Sequence, residues 1–419
     1  MFLFLPYAND RRNSQTPTMT YSLIAANVIV FLCLLPLGPV VITSNFGLSP
    51  SHASMLYILT SMFVHVNPLH LLWNMLFLWL FGPSVEDVLG RVRFTGLYIL
   101  SGFIAAMLHA FIVRNFMPAF ADVPVIGASG AIAGILGVFA VRFYRTGIRV
   151  FWWLLWRCGS FTIPAKFGLG IWFIQQFAGG VFSVLSPLLP ETSFAAVLGH
   201  RLFGDGVSYW SHIGGMGFGT AVAFLLGLQL EGTKEYLLDD ARVSMERGST
   251  WHAAEHLSAV LACDPENADV HASLAMTYAM QQDADLAVAH YQKAIELFLK
   301  REEFEKAISS FIELRSFYRH AEIGLHYEFQ LARHMDEADR HEHALQLFKE
   351  IIAEHPDTPE AEVSLVRVGS LYLNKLANPK EAVSCFDRFL KEYPNSSWRT
   401  LVSKSLIEAR EKSRLENNG

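Results

Sequence analysis

The sequence predicts an all-α protein in two parts, a six-helix polytopic membrane domain followed by a soluble α-solenoid. The chain is 52% hydrophobic, yet its charges are unevenly spread. Residues 1–230 contain 11 Lys+Arg and 6 Asp+Glu, whereas residues 231–419 contain 22 and 33. Six apolar runs in the first part are long enough to cross, or nearly cross, a bilayer core of about 30 Å. In the second part, small and bulky residues recur at helical spacing.

The six apolar runs define the order of the membrane domain. An even number of spans places both chain ends on one side, and Lys/Arg-rich connecting segments mark the cytoplasmic side. With the N-terminus inside, the outer segments carry only Arg114 and Arg201, and all other basic residues of this half lie inside. We therefore expect both termini in the cytoplasm and a multi-pass protein of a plasma (inner) membrane. The predicted spans are 20–39, 69–83, 92–113, 126–144, 167–187 and 207–229.

The same reading divides the chain into five segments. They are a cytoplasmic N-terminal segment (1–19), the membrane domain (20–229), a connector (230–246), a helical repeat domain (247–410) and a frayed C-terminus (411–419).

A serine opens the fourth span. Ser129 stands among small residues where a polar loop becomes an apolar helix. A helix N-terminus offers free backbone N–H groups to a developing negative charge, which makes Ser129 a candidate nucleophile. Runs of small residues in membrane helices also serve as packing surfaces. Considered alone, this stretch favours packing over catalysis.

A histidine near the start of the sixth span provides the possible partner. His212 is followed by a GxxxG face, a pattern that lets a neighbouring helix approach closely. If that neighbour is the fourth span, Ser129 and His212 come within hydrogen-bond reach, which is the geometry of a base-activated serine. The glycines expected to support this contact are Gly127, Gly130 and Gly134 in the fourth span and Gly215 and Gly219 in the sixth.

Two polar residues open the second span on one helix face. His70 and Asn74 are spaced i, i+4. They are either interhelical hydrogen-bonding residues or oxyanion donors that act with the backbone around Ser129 and Gly130. His65 is interpreted as a structural histidine that orders the loop entering this span, in preference to a catalytic role.

Neither a carboxylate partner for His212 nor a cofactor is expected. None of the six acids in residues 1–230 lies within an apolar span, and the nearest to His212 in sequence, Asp205, is expected at the water interface. There is no HExxH motif and no carboxylate at ligand spacing from His65 and His70, so no metal ion is predicted. The acidic tail argues against a nucleic-acid partner.

As a set, these residues resemble the signature of rhomboid intramembrane serine proteases over residues 20–229. The resemblance implies that Ser129 is the nucleophile and His212 the general base, with His70, Asn74 and the backbone of Ser129 holding the oxyanion. The motifs that carry it are Thr60-Ser61-Met62-Phe63-Val64-His65-Val66-Asn67-Pro68-Leu69-His70-Leu71-Leu72-Trp73-Asn74-Met75, Gly82-Pro83-Ser84-Val85-Glu86-Asp87-Val88-Leu89-Gly90, Gly127-Ala128-Ser129-Gly130 and His212-Ile213-Gly214-Gly215.

The resemblance also assigns supporting roles. Glu86 is implied to be a structural acid in the inner loop after the second span. The region of the fifth span, with Trp172 and Gln175, is implied to be a mobile lateral region for substrate entry. Two departures stand out. Ala133 occupies the position where many rhomboids stack an aromatic on the histidine, and residues 40–68 lack the Trp-Arg pair of some members.

The tail resembles tetratricopeptide repeats, helix–turn–helix units of about 34 residues. Small and bulky residues four apart recur at intervals of 34, 20, 37 and 38 residues, and the 20-residue interval predicts an irregular array of about four units. The alternative is an amphipathic helical bundle with coincidental spacing. The recurring pairs are Ala253/Leu257, Ala287/Tyr291, Ala307/Phe311, Ala344/Phe348 and Ala382/Phe386.

Together these readings predict an intramembrane serine endopeptidase that needs no cofactor and cleaves transmembrane segments of membrane proteins near the outer face. Its partners are then transmembrane substrates, the lipid bilayer and a cytoplasmic protein or peptide on the repeats. One alternative is a non-proteolytic rhomboid-like scaffold that binds membrane proteins and presents them to partners. The other is a transporter whose polar residues line a pathway. Retention of Ser129 and His212 disfavours the scaffold, and the absence of acids within the spans disfavours the transporter.

Overall fold

A computed structural model describes residues 2–11, 13–154, 156–190, 193, 197–199, 201 and 207–417. The chain divides into two compact units, Met1–Thr233 and Lys234–Gly419. Each unit has its own hydrophobic core. Among the described residues, three helices are long and apolar enough to cross a membrane. The predicted fold class, a helical membrane domain followed by an α-solenoid, is confirmed.

Helices follow all six predicted spans of the first unit. The second and third spans form one helical run that is broken at Gly90, whose φ of 73° and ψ of 163° suit a residue without a Cβ. Two further short helices lie between the first and second spans. The helices of this unit are α1 (Thr18–Leu34), α2 (Pro39–Phe46), α3 (Met55–Ser61), α4 (Pro68–Phe116), α5 (Ser129–Arg142), α6 (Ala165–Leu185) and α7 (Tyr209–Leu225).

Glu86 connects α4 to the start of α1. The N-cap residue of α1, Pro17, makes no side-chain cap hydrogen bond. The buried carboxylate of Glu86 instead accepts hydrogen bonds from the backbone N–H groups of Met19 (2.9 Å) and Thr20 (2.7 Å) and from the hydroxyl of Thr20 (2.7 Å). A negative charge at a helix N-terminus pairs donors that the helix itself leaves unsatisfied. Glu86 thereby holds two helices together.

The first unit also contains a small antiparallel sheet that the sequence analysis did not predict. Its strands are β1 (Phe2–Asn9), β2 (Gly147–Leu154) and β3 (Arg157–Pro164), in the order β1-β2-β3. Aromatic and β-branched residues favour strands, and β2 and β3 pair as a local hairpin. Strand β1 pairs with a segment far away in sequence, so no local pattern predicts that pairing. Residues 2–9 of the predicted N-terminal segment are therefore an ordered strand.

The contact between α5 and α7 is a close approach of two helix backbones. Every residue of α5 from Gly130 to Phe139 is buried. A Cβ on Gly215 would lie 1.9 Å from the carbonyl oxygen of Gly130, and a Cβ on Gly219 would lie 1.9 Å from that of Gly134. The two backbones therefore touch where no side chain fits, the arrangement typical of small-xxx-small motifs.

The second unit is a stack of helices. In the part of the tail that the structure describes, four helix pairs follow one another, α8/α9, α10/α11, α13/α14 and α15/α16, with α12 between the second and third pairs. The helices are α8 (Leu228–Glu246), α9 (Thr250–Cys263), α10 (Ala268–Met280), α11 (Ala284–Lys300), α12 (Phe304–Phe317), α13 (Leu325–Glu337), α14 (His341–Glu354), α15 (Pro359–Asn374), α16 (Pro379–Glu392) and α17 (Arg399–Asn417).

The extra helix α12 explains the irregular spacing in the sequence. Ala307 on α12 follows Ala287 on α11 after 20 residues because no second helix intervenes. The small and bulky residues of the pattern are the contacts of the stack, and both Ala344 and Phe348 are fully buried. The last helix also continues beyond residue 410, where the sequence predicts fraying, and Glu408 and Lys412 form an ion pair along it.

The contact between α5 and α7 can be tested with two glycines of the same helix. We expect Gly219→Ala to lower the free energy of unfolding by about 1–3 kcal/mol, since the new methyl group overlaps the carbonyl of Gly134. The control is Gly217→Ala, because a Cβ on Gly217 meets nothing within 4 Å. Reversible unfolding in mixed detergent micelles measures the free energy of unfolding of both variants. Equal stability of the two variants would contradict the backbone contact.

Candidate active site

Ser129 and His212 face each other across the contact between α5 and α7. Ser129 is the first residue of α5, and His212 lies in the first turn of α7. The Ser129 Oγ is 2.8 Å from Nε2 of His212. The other ring nitrogen, Nδ1, is 2.7 Å from the side-chain carbonyl oxygen Oε1 of Gln176 on α6. A carbonyl oxygen only accepts, so Nδ1 carries the proton and Nε2 presents its lone pair to the hydroxyl of Ser129.

The residue after the serine has to be small for this geometry to form. A Cβ on Gly130 would lie 2.6 Å from Oγ of Ser211 on α7 and 2.7 Å from Cβ of Ala105 on α4. Three helices therefore meet at Gly130, and the glycine contacts that pack them also set the separation of Ser129 and His212. The structure thus brings together the two residues that the sequence analysis pairs.

An aromatic ring covers His212, but it comes from a different helix than the resemblance implies. Ala133, one turn after Ser129, offers no ring. Trp172 on α6 lies against the imidazole, with ring centroids 5.8 Å apart and planes inclined by 31°. The support for His212 that the sequence analysis finds missing is therefore supplied by α6.

His70 and Asn74 line the same cavity as Ser129 and His212. Asn67 caps α4 by accepting a hydrogen bond from the backbone N–H of His70 (2.7 Å), and the amide of Asn74 donates to the backbone carbonyl of His70 (3.0 Å). The ring of His70 packs onto Gly127, where a Cβ would lie 2.7 Å from Cε1. Gly127 has a φ of 115°, which disfavours any residue with a side chain. A glycine is thus required beside His70.

His65 is fully buried, and its ring packs edge-on against His70 with centroids 5.0 Å apart. This position supports the orientation of His70. Asp205, the acid nearest to His212 in sequence, lies outside the described residues.

The cavity beside the serine has a volume of about 730 Å³. Its lining combines large apolar side chains, such as Phe77 and Phe182, with the polar groups named above. It also contains His109 on α4, whose Nδ1 is 2.9 Å from Oγ of Ser208. A mostly apolar pocket with a few convergent polar groups is the usual form of a binding site. Among the described residues, no group of three or more His, Cys, Asp or Glu side chains is arranged to hold a metal ion.

Sequence analysis missed two of these residues, Gln176 and His109. It names Gln175, which is exposed, whereas the buried residue that reaches His212 is Gln176. A signal was available in the spacing of α6, where the buried residues lie on one face of the helix. They are Ala165, Leu169, Gln176, Gly179 and Gly180. His109 lies within a long apolar run and carries no local motif.

Comparison with known proteins gives two family matches, each to a part of the chain. Residues 52–229 match the family described as Rhomboid domain. Residues 364–396 match the family described as Tetratricopeptide repeat. The chain carries a rhomboid domain followed by tetratricopeptide repeats.

Curated relatives agree on the rhomboid domain. The putative rhomboid protease YdcA of Bacillus subtilis is 29% identical over 29% of this chain and 61% of its own length. The presenilin-associated rhomboid-like protein A, mitochondrial, of Danio rerio is 28% identical over 47% of this chain and 45% of its own. Rhomboid protein 1, mitochondrial, of Saccharomyces cerevisiae is 33% identical over 32% of this chain and 39% of its own. The match spans less than two thirds of each relative.

Proposed function

We propose that the rhomboid domain is an intramembrane serine endopeptidase that cleaves transmembrane segments of other proteins. The observation that carries this proposal is the hydrogen bond of 2.8 Å between Ser129 Oγ and His212 Nε2, with Nδ1 held by Gln176. A serine hydroxyl is a weak nucleophile until an adjacent base takes its proton, and a base works best when a third group orients it. Both conditions are met at the rim of a cavity.

The reaction follows the order of acyl transfer. His212 takes the hydroxyl proton as Ser129 Oγ attacks the peptide carbonyl carbon. The oxyanion is stabilised by the side chains of His70 and Asn74 and by the backbone N–H groups of Ser129 and Gly130 at the start of α5. His212 then protonates the leaving amine. Water, activated by His212, hydrolyses the acyl-enzyme and restores the hydroxyl of Ser129.

The length of α5 supports a site inside the apolar layer. Its 14 residues span about 21 Å, which is less than the ~30 Å of a bilayer core. The chain before Ser129 therefore enters the membrane, and the nucleophile lies below one surface. Together with the distribution of Arg and Lys, this supports cleavage near the outer face of a plasma membrane, with both termini in the cytoplasm.

The tetratricopeptide repeats support a role in protein interaction, and we propose that their ligand is a cytoplasmic protein or peptide. Stacked repeats form extended surfaces for such partners. In this proposal the tail recruits protein partners or regulates cleavage, and the rhomboid domain alone performs the chemistry.

A second candidate function is a non-proteolytic membrane scaffold. It is favoured by one observation, that relatives named only rhomboid-like match as much of this chain as those named proteases. Binding without cleavage does not require an oriented base beside a serine, so the geometry of His212 favours the enzyme.

The nucleophile can be tested with a fluorophosphonate probe on the purified protein. We expect wild-type protein to be labelled, Ser129→Ala to be unlabelled, and His212→Ala to be labelled at least about 100-fold more slowly because the general base is lost. In-gel fluorescence measures the rate. Gly217→Ala is the control for an α7 variant that is purified in the same way, because a Cβ on Gly217 meets nothing within 4 Å. It should be labelled as fast as the wild type. Persistent labelling of Ser129→Ala would refute the assignment.

The division of labour can be tested by deleting residues 246–419. We expect the truncated protein to cleave a model transmembrane substrate within about threefold of the full chain, because every residue of the dyad and of the cavity lies in the first unit. Cleavage is measured by gel shift in detergent. Complete loss of cleavage by a truncated protein that still unfolds cooperatively would make the repeats part of the catalytic unit.

A further inference from the structure

The geometry points to Gln176 as a positioning residue that fixes the tautomer and orientation of His212, so that the base is competent only while α6 is docked against α7. This inference deepens the proposed function and rests on it for its kinetic consequences. It assigns a role to a residue that the dyad mechanism leaves out.

The side chain of Gln176 is oriented at both ends. It is 5% exposed, and its carbonyl oxygen lies 2.7 Å from Nδ1 of His212. Its NH₂ group donates to the side-chain carbonyl of Gln175. In this arrangement both ends of the amide are paired, and the carbonyl faces the imidazole. That arrangement selects the Nδ1–H tautomer of His212, the form in which Nε2 is basic toward Ser129.

Both contacts that orient the imidazole come from the same helix. Gln176 holds Nδ1, and Trp172 one turn earlier covers the ring. A helical displacement that separates α6 from α7 breaks both contacts together. The glycine contacts that pack α5, the helix of Ser129, against α7 do not involve α6.

A close contact one turn further along α6 determines where Gln176 lies. A Cβ on Gly179 would be 2.6 Å from the ring of Tyr209 on α7, and one on Gly180 would be 3.2 Å from Trp210 and Ile213. Other side chains of α6 are exposed and apolar. They include Phe167, Ile171, Ile174, Phe177 and Val181. The glycines close to Gln176 are where α6 approaches Tyr209 and Trp210 of α7, so we expect its docking near the active site to depend on them.

No charged group replaces Gln176 at the imidazole. The other titratable side chains that line the cavity, among the described residues, are His70 and His109 on α4 and Tyr209 on α7. None is a carboxylate, so within the described residues a neutral amide does for His212 what a carboxylate does in a serine triad.

The test compares four variants of the full-length protein. Gln176→Ala removes the acceptor, and Gln176→Glu keeps an oxygen at the same place. Gly179→Ala leaves Gln176 intact but forces α6 away from Tyr209. Gly170→Ala is the matched control, because it makes the same change on the same helix where a Cβ meets nothing within 4 Å. Each variant is measured for kcat and KM on a transmembrane substrate across pH, and for the ¹⁵N shifts of the His212 ring, assigned by their loss in His212→Ala.

We expect Gln176→Ala to lower kcat about 10- to 100-fold with KM changed less than about twofold, because Gln176 contacts the base and does not line the cavity. Gly179→Ala should lower kcat by a similar factor, and because Gly179 lines the cavity this variant is judged by its kcat and ring shifts. The ring shifts of both variants should lose the Nδ1–H pattern of the wild type. Gln176→Glu should keep that pattern and most of the kcat, with the acidic limb of its pH profile displaced to higher pH, because a carboxylate stabilises the imidazolium. Gly170→Ala should behave as wild type.

The ring shifts separate this inference from the proposed function. If the wild type shows no cleavage while Gln176→Ala still changes the tautomer of His212, the protease assignment fails and the positioning role stands. If Gln176→Ala leaves the tautomer, the kcat and the pH profile of an active enzyme unchanged, the positioning role is overturned. If Gln176→Ala is impaired while Gly179→Ala behaves as wild type, the dependence on α6 docking is overturned.

Discussion

The active-site geometry depends on one contact, the meeting of the backbones of α5 and α7 at their glycines. Because Gly215 and Gly219 leave room for the carbonyl oxygens of Gly130 and Gly134, the two helices pack more closely than any side chain would permit. Ser129 and His212 lie at the starts of these helices, so the same contact that stabilises the fold sets the separation of Oγ and Nε2. Packing and proposed catalysis are two consequences of one arrangement.

Around this contact the other helices add separate functions. The helical run α4 supplies His70, Asn74 and His109 to the cavity and, through Glu86, holds the start of α1. Helix α6 supplies Gln176 and Trp172 to the imidazole. The base is thus oriented by a different helix from the one that carries the nucleophile.

Much of the fold and of the candidate site was predictable, because it depends on local sequence patterns. Apolar runs located the six spans, i, i+4 spacing placed His70 beside Asn74, and glycine spacing predicted which helices meet. The features that escaped prediction depend on contacts distant in sequence. Strand β1 pairs with a strand far away in the sequence, and whether Gln176 or its neighbour Gln175 reaches His212 depends on the rotation of α6, where Gly179 lies against Tyr209. The extra helix α12 was visible only as a short interval between repeats.

The most direct test is cleavage in a bilayer. Purified wild-type protein and Ser129→Ala would be reconstituted with a single-span substrate in proteoliposomes, and the products identified by mass spectrometry. Cleavage by the wild type at a peptide bond within or next to the apolar segment, on the side of the membrane where α5 begins, together with intact substrate for Ser129→Ala, is the predicted result. Equal cleavage by both proteins, or intact substrate with a wild type that binds it, would contradict the assignment of Ser129 and His212 as a proteolytic dyad.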